Sequence, residues 1–288
     1  MSKSNIGRVL EKISHEGPGG WSAVREGTDG GAVRQRRFEY EDGVIARSVE
    51  AREQIRRMAQ PFVFSREEMD ARHLLADGDE SDEVYSLLND LRNRITMSRP
   101  GMGVTVLVTS IDDSRQSSIL ARNLASVIAA DESRTSLLVE LWNTGSKLTG
   151  DDHDGKGVLE FIDDDELAVE DILAPTGVRR MRNIPFGSQG VVNYEYLRST
   201  QLRILIKDVT RRYPRDRFTI LDAPPVNRAS DVELLNEYVD QIIVCLPYGK
   251  TTLGEARKGL AKLDKNKLLG VVLCGAPELK GLKAKLAR

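Results

Sequence analysis

The chain has 288 residues, of which 40% are apolar and 30% charged, with a net charge of -2 and a mean hydropathy of -0.36. That length accommodates one sizeable domain plus extensions, and the near-neutral charge balance gives no reason to expect a nucleic-acid partner. No stretch approaches the ~20 apolar residues of a membrane span, and the first residues lack the apolar core of a secretory signal, so we expect a cytoplasmic protein.

Residues 1–78 are predicted to form a largely flexible extension ahead of a domain at 79–288. Segments such as GPGGWSAV and REGTDGGAVRQRRFEYEDG are rich in glycine and charge and bury too little apolar surface to offset their ordering entropy. One exception is SNIGRVLEKI, in which the apolar side chains fall on a single helical face. That pattern suits either a small docking helix or a local helix with no role.

A helix is predicted directly after Ser81, which stands at a plausible cap position. The segment DEVYSLLNDLRNRITM repeats apolar residues at helical spacing, namely Val84, Leu87, Leu88, Leu91 and Ile95. We expect this helix to pack onto the domain that follows.

From residue 103 onward, short apolar runs alternate with amphipathic stretches. The runs VTVLVTS, TSLLVEL, RFTILDAPP, VDQIIVCLP and KLLGVVLCG are continuous in hydrophobicity, as in strands covered on both faces. Between them, SILARNLASVIAA, LRILIKDVTRRY, DVELLNEYV and GEARKGLAKLD have helical spacing. The alternation predicts an α/β fold with a mostly parallel sheet and helices on both faces. Ligands of such sheets sit at the carboxyl ends of the strands.

The two cysteines, Cys245 and Cys274, lie within apolar runs. We predict buried thiols rather than a disulfide or a metal site, because a metal normally takes several clustered ligands.

A phosphate-binding loop is the feature to look for after the first strand of such a sheet. It needs glycines whose backbone amides close around phosphate, a lysine against the phosphates and a hydroxyl on magnesium. The passage found there is VTSIDDSRQSSILARNLA.

This passage resembles the bacterial tyrosine autokinases of capsule and exopolysaccharide synthesis, which are relatives of the partition and division-site ATPases. In that family V-T-S precedes a P-G-E-G-K-S/T loop and a helix that ends in N-L-A. The start matches at Val108, Thr109 and Ser110, and the end matches without a gap at Asn123, Leu124 and Ala125. The resemblance, which covers most of the chain after residue 83, implies a P-loop NTPase-like fold.

The interior of the loop departs from the family pattern. Ser114 and Gln116 stand at the two glycine positions and Ser117 stands at the lysine position, whereas Ser118 keeps the magnesium-binding hydroxyl. On this resemblance the loop is a degenerate nucleotide-binding loop, and we expect it not to bind a nucleoside triphosphate in the family's manner.

Asp112 and Asp113 add charge where the triphosphate would approach. Like charges at ~4 Å repel by about 1 kcal/mol in water and several times more near a low-dielectric surface. These two acids would therefore oppose the ligand.

Two further family motifs carry acids that handle magnesium and activate the attacking hydroxyl. The second strand of the family ends in aspartate, alanine, aspartate, and Glu140 and Trp142 occupy the two acid positions here. In RFTILDAPPVNRASDVELL the third acidic motif is retained, and the resemblance implies that Asp222 would reach a metal through water. The alternative for Asp222 is a capped strand end whose turn is shaped by Pro224 and Pro225.

The family's regulatory features are also altered. Its oligomerisation signature is a glutamate followed by arginines three and six residues later; this chain keeps Glu83 but has Ser86 and Asn89 at the arginine positions. The last tyrosine is Tyr248, so the tail PELKGLKAKLAR lacks the family's tyrosine cluster. We expect no ring assembly through that signature, and self-association by another contact is left open.

The resemblance leads to one leading hypothesis and two alternatives. The leading one is a non-catalytic, pseudokinase-like regulatory or scaffold protein of exopolysaccharide or capsule synthesis and export. It would associate in trans with the family's usual partner, a membrane-embedded chain-length regulator, at the inner membrane. The first alternative is an active ATP-dependent tyrosine kinase with an atypical loop, which would bind magnesium at Ser118 and Asp222. The second is a positioning factor related to the partition ATPases.

Overall fold

The computed structural model describes residues 58–75, 83–99, 102–112, 115–143, 145, 148–149, 154–188, 193–212 and 217–274. In chain order the helices are α1 (Arg66–Ala71), α2 (Glu83–Ser98), α3 (Gln116–Ala130), α4 (Val158–Asp163), α5 (Val169–Ile172), α6 (Thr200–Arg212) and α7 (Leu253–Leu260). The strands are β1 (Thr105–Ser110), β2 (Thr135–Glu140), β3 (Ala174–Pro175), β4 (Met181–Ile184), β5 (Arg217–Asp222), β6 (Gln241–Pro247) and β7 (Leu268–Cys274). Two 3-10 helices lie at Tyr194–Arg198 and Ser230–Tyr238.

Within these residues seven strands form one sheet in the order β3-β4-β2-β5-β1-β6-β7. Every neighbouring pair is parallel except β3 and β4, which run antiparallel. The predicted mostly parallel α/β sheet is therefore confirmed. β1, β2 and β5 lie at its centre, which is why their side chains are buried on both faces.

Helices cover both faces of the sheet. Alternate strand residues such as Val106, Leu138 and Ile220 pack with α2 and α3 on one face. Their neighbours, such as Leu107 and Leu137, pack with α4, α5, α6 and the 3-10 helices on the other. Because successive side chains of a strand point to opposite faces, the continuous apolar runs supply both cores at once.

Helix α2 packs onto the domain as expected, but through a narrower stripe than the sequence pattern indicates. Leu88 and Ile95 are buried against the α3 face. Val84 and Leu87 are exposed. The proposed cap at Ser81 lies outside the described residues.

Part of the predicted flexible extension is ordered against the domain. Phe64 is buried, its amide donates to the Gly177 carbonyl at 2.9 Å, and its ring lies flat on Gly177, where a Cβ would overlap the ring. Further along, the Asn123 side chain of α3 donates to the His73 carbonyl at 2.7 Å and accepts from the Leu75 amide at 2.8 Å. Residues 1–57 and the predicted boundary between 78 and 79 lie outside the described residues.

One predicted helix has a different geometry. All of DVELLNEYV except its last residue, Val239, lies in the 3-10 helix Ser230–Tyr238, which buries Val232 and Leu235. In contrast, GEARKGLAKLD overlaps the α-helix α7 (Leu253–Leu260). The start of this helix is fixed by a reciprocal capping box between Thr252 and Glu255.

The prediction of two free thiols is wrong. Cys245 on β6 and Cys274 on β7 are joined in a disulfide, with their Cα atoms 6.1 Å apart. The reason is tertiary, since β6 and β7 are adjacent parallel strands whose pairing brings the two residues together.

Candidate functional site

The sequence-predicted acids meet where the central strands end. Glu140 ends β2 and Asp222 ends β5, and the two residues are direct Cα partners in the parallel register. Both share a face with Leu138 and Ile220, which is the face covered by α3. The candidate site is therefore a buried cluster of polar side chains between the carboxyl ends of β2 and β5 and the start of α3.

Asp222 is completely buried and is covered by Trp142. The indole Nε1 of Trp142, itself only 7% exposed, donates a hydrogen bond of 3.1 Å to Asp222 Oδ1. Burial raises the pKa of the Asp222 carboxyl to about 7, although the neighbouring Ser118 hydroxyl and the Trp142 indole N–H both lower it. Glu140 adds to the rise and Arg122 opposes it, in each case through their charge.

The backbone before Trp142 is fixed from two sides. The Leu141 amide donates to the Asp222 carbonyl at 2.8 Å, which extends the ladder between β2 and β5 by one residue. The Leu141 carbonyl accepts a hydrogen bond from the hydroxyl of Tyr196, and burial raises the pKa of that phenol well above its usual range. Trp142 is thus positioned over Asp222 by the fold rather than by a mobile loop.

Helix α3 brings the remaining loop residues to the same place. It begins at Gln116, and Ser117 and Ser118 on its first turn are fully buried. Ser118 lies close enough to Asp222 for its hydroxyl to lower the pKa of that carboxyl. Ser114 and Asp113 lie outside the described residues.

Two site residues were not singled out from the sequence. Arg122 lies one turn after Ser118, and its Nε donates to the Ser118 carbonyl at 3.2 Å. Asn183 on β4, aligned with Leu138, points its amide Nδ2 toward Glu140 Oε2 at 3.4 Å. The four-residue spacing from Ser118 could have indicated Arg122, but Asn183 depends on strand order and carries no local signal.

Asp112 accepts hydrogen bonds from two other segments of the chain. Its Oδ2 accepts from the Thr251 hydroxyl at 2.6 Å and its Oδ1 accepts from the Asn227 amide at 3.2 Å. Asp112 therefore ties the segment after β1 to the segments after β5 and β6. Asp112 lies just after β1, and both of its carboxylate oxygens have protein partners.

Backbone groups after β1 are also hydrogen-bonded to neighbouring segments. The Ile111 amide donates to the Cys245 carbonyl at 3.4 Å, and the Ser110 and Ile111 carbonyls accept from the Val226 and Asn227 amides at 2.9 and 3.1 Å. The segment after β1 thus continues to pair with its neighbours, where a phosphate-binding loop would curl its amides around a ligand.

The order of the parallel strands, with β1 at the centre and its loop leading into α3, defines a P-loop NTPase-like fold. Among the residues that the structure describes, Glu140 and Asp222 are the buried carboxylates at this edge. Among the described residues no helix is long and apolar enough to cross a bilayer.

Comparison with known proteins places the chain near one group of this class. A tyrosine-protein kinase of Salmonella typhi, wzc, is 24% identical over 206 residues, which cover 69% of this chain but only 28% of that kinase. The kinase domain of the Escherichia coli tyrosine kinase ETK has a TM-score of 0.60 at 16% identity, covering 76% of this chain and 90% of that structure. The chimerical protein CapA2B2 also has a TM-score of 0.60, at 19% identity over 80% of this chain and 100% of that structure.

No protein-family model matches the chain. The chain is a distant relative of the bacterial polysaccharide tyrosine kinases and shares the fold of their kinase domains. It spans less than a third of the length of the curated relative, so the activity and partners of that whole protein do not transfer with the fold.

Proposed function

We propose that this protein is a non-catalytic, pseudokinase-like member of the tyrosine-kinase group that acts as a regulatory or scaffold protein in bacterial exopolysaccharide or capsule synthesis and export. The observation that carries the proposal is the closure of Asp222. Asp222 is 0% exposed and its Oδ1 accepts the indole N–H of Trp142, so a ligand from solvent would have to displace the side chains packed around it.

Magnesium and ATP do not fit the residues present. Trp142 stands at a position where the family has an acid, and an indole can neither ligate magnesium nor take a proton from an attacking hydroxyl. Ser117, at the lysine position, is fully buried and brings no positive charge to a phosphate. Because Asp222 is fully buried, its carboxylate is not accessible as a magnesium ligand.

The hydrogen bonds of the segment after β1 support the same proposal. The Ile111 amide and both oxygens of Asp112 are engaged by neighbouring segments. A triphosphate bound in the family's manner would approach the charge of Asp112. Contacts of this kind are typical of a segment that holds a fold together.

Calorimetric titration of the full chain with ATP in the presence of magnesium tests the proposal. We expect no heat of binding at micromolar concentrations and no phosphotyrosine after incubation, under conditions where the ETK kinase domain gives both. Micromolar affinity together with ATP hydrolysis that Asp222→Ala abolishes would overturn it.

The proposed partner is a membrane-embedded chain-length regulator, bound in trans. A tagged full-length chain should co-elute with the detergent-solubilised regulator from the same organism. Co-sedimentation with DNA or with protein-free lipid vesicles, without binding to the regulator, would instead favour a positioning factor.

A further inference from the structure

Arg122 directs its positive charge toward the candidate site. A helical side chain runs back over the turn before it, and the bond from Arg122 Nε to the Ser118 carbonyl shows that direction. Its side chain is partly buried between flanking residues, Ala121 and Asn123, that are buried themselves. The guanidinium therefore lies on the side of α3 that carries Ser118.

Two acids face that side of the helix. Glu140 and Asp222 are adjacent Cα partners on the sheet face that α3 covers, and α3 packs directly on β2 and β5. Burial lowers the pKa of the Arg122 guanidinium, and the charges of Glu140 and Asp222 oppose that fall.

A buried pair of carboxylates needs a positive charge nearby. Neighbouring like charges repel strongly when they are removed from water, and an unpaired buried charge is costly. Sites that hold two acids at the end of a parallel sheet can obtain that charge from a bound cation. In this chain a guanidinium fixed to α3 already supplies it.

We propose that Arg122 is the residue that excludes a divalent cation from the Glu140–Asp222 pair, by serving as its built-in counter-ion. The inference deepens the proposed non-catalytic function and rests on it, because a site that held magnesium during a reaction would have no use for this internal charge. Removing the charge should create a cation site that the natural protein lacks.

Thermal unfolding with and without magnesium chloride at about 10 mM tests this, against sodium chloride of equal ionic strength. Arg122→Ala should gain about 3 °C or more in Tm from magnesium, whereas the wild-type protein should gain none. The gain should disappear in the double variant Arg122→Ala with Asp222→Asn. Arg203→Ala removes an exposed arginine from helix α6 and should behave like the wild-type protein.

Two further variants distinguish the loss of the charge from a general loss of stability. Arg122→Met keeps the volume of the aliphatic stem and should respond to magnesium, whereas Arg122→Lys keeps the charge and should not. If Arg122→Ala and Arg122→Met are unfolded without metal, magnesium should refold them. Folded variants that ignore magnesium, or unfolded ones that magnesium does not rescue, contradict the inference, as does a wild-type protein that gains as much as the variants.

The two proposals fail in different ways. Binding of magnesium and ATP by the wild-type chain contradicts the proposed function, whatever the Arg122 variants do. A wild-type chain that binds no ATP, with Arg122 variants that gain nothing from magnesium, contradicts only the role given to Arg122.

Discussion

The buried carboxyl of Asp222 should make the stability of the protein depend on pH, and Asp222→Asn should remove that dependence. The folded-state pKa is about 7, against an ordinary value of 3.8. At ~1.4 kcal/mol for each pH unit, a difference of about three units corresponds to about 4 kcal/mol. Asparagine keeps an acceptor for the Trp142 indole but carries no charge, so the substitution isolates the cost of ionisation.

The sign follows from proton binding. Below about pH 4 Asp222 is protonated in both states, and the stability from its raised pKa is fully present. Between about pH 4 and pH 7 the unfolded chain has released a proton that the folded protein still holds, so stability falls by ~1.4 kcal/mol per pH unit as the pH rises. Above about pH 7 the loss is complete and the curve is flat.

Urea unfolding of both proteins at several pH values between about 5 and 8 measures the effect. The stability of Asp222→Asn relative to the wild-type protein should rise up to about pH 7 and then level off. Titrating groups that do not interact with Asp222 contribute equally to both proteins and cancel in this difference. A constant difference, or one that falls as the pH rises, would refute the reasoning, because it would mean that the site stabilises the ionised form.

Three other predictions concern the scaffold around the site. Gly187→Ala should cost ~3 kcal/mol or more in the free energy of unfolding, because Gly187 has φ +116° and a Cβ would displace the Glu160 carboxylate, which accepts from the Gly157 amide at 2.8 Å and the Ser188 amide at 3.0 Å. Gly249→Ala, at φ +69° with nothing near the new Cβ, should cost only about 1 kcal/mol. Asn123→Ala should speed amide hydrogen exchange in residues 62–75, because it leaves a backbone carbonyl and an amide of that segment without partners. The disulfide predicts no free thiol in the denatured, unreduced protein and two after reduction.

Each of these has a result that contradicts it. Equal losses for the two glycine variants would remove the steric argument at Gly187. Unchanged exchange in residues 62–75 of Asn123→Ala would mean that Phe64 and its contacts hold the segment alone. Two reactive thiols in the unreduced protein would rule out the disulfide.

Much of the fold could be predicted from local pattern. Strands β1, β2, β5, β6 and β7 follow continuous apolar runs, and α3 follows a run with helical spacing, so both kinds of element are encoded in neighbouring residues. The order of the sheet is not local. β5 lies between β2 and β1 although about 80 residues separate it in sequence from the end of β2, and only packing decides that neighbour.

The candidate site could also be predicted only in part from the sequence. Glu140, Trp142, Ser118 and Asp222 could be named because each sits in a short motif that resembles the autokinase pattern. Their arrangement in space could not be predicted. The hydrogen bond from the Trp142 indole to Asp222, 80 residues away, depends on the pairing of β2 with β5.

The sequence by itself determined the fold class, the identity of the group it resembles and the residue types at the end of each central strand, because these depend on periodicity and short motifs. Tertiary structure decided that Trp142 donates to the buried Asp222, that Asp112 joins three segments and that Arg122 extends back along α3 to the Ser118 carbonyl. Those outcomes depend on which strand lies beside which and on which face a side chain points, and both are properties of the packed sheet rather than of any single segment.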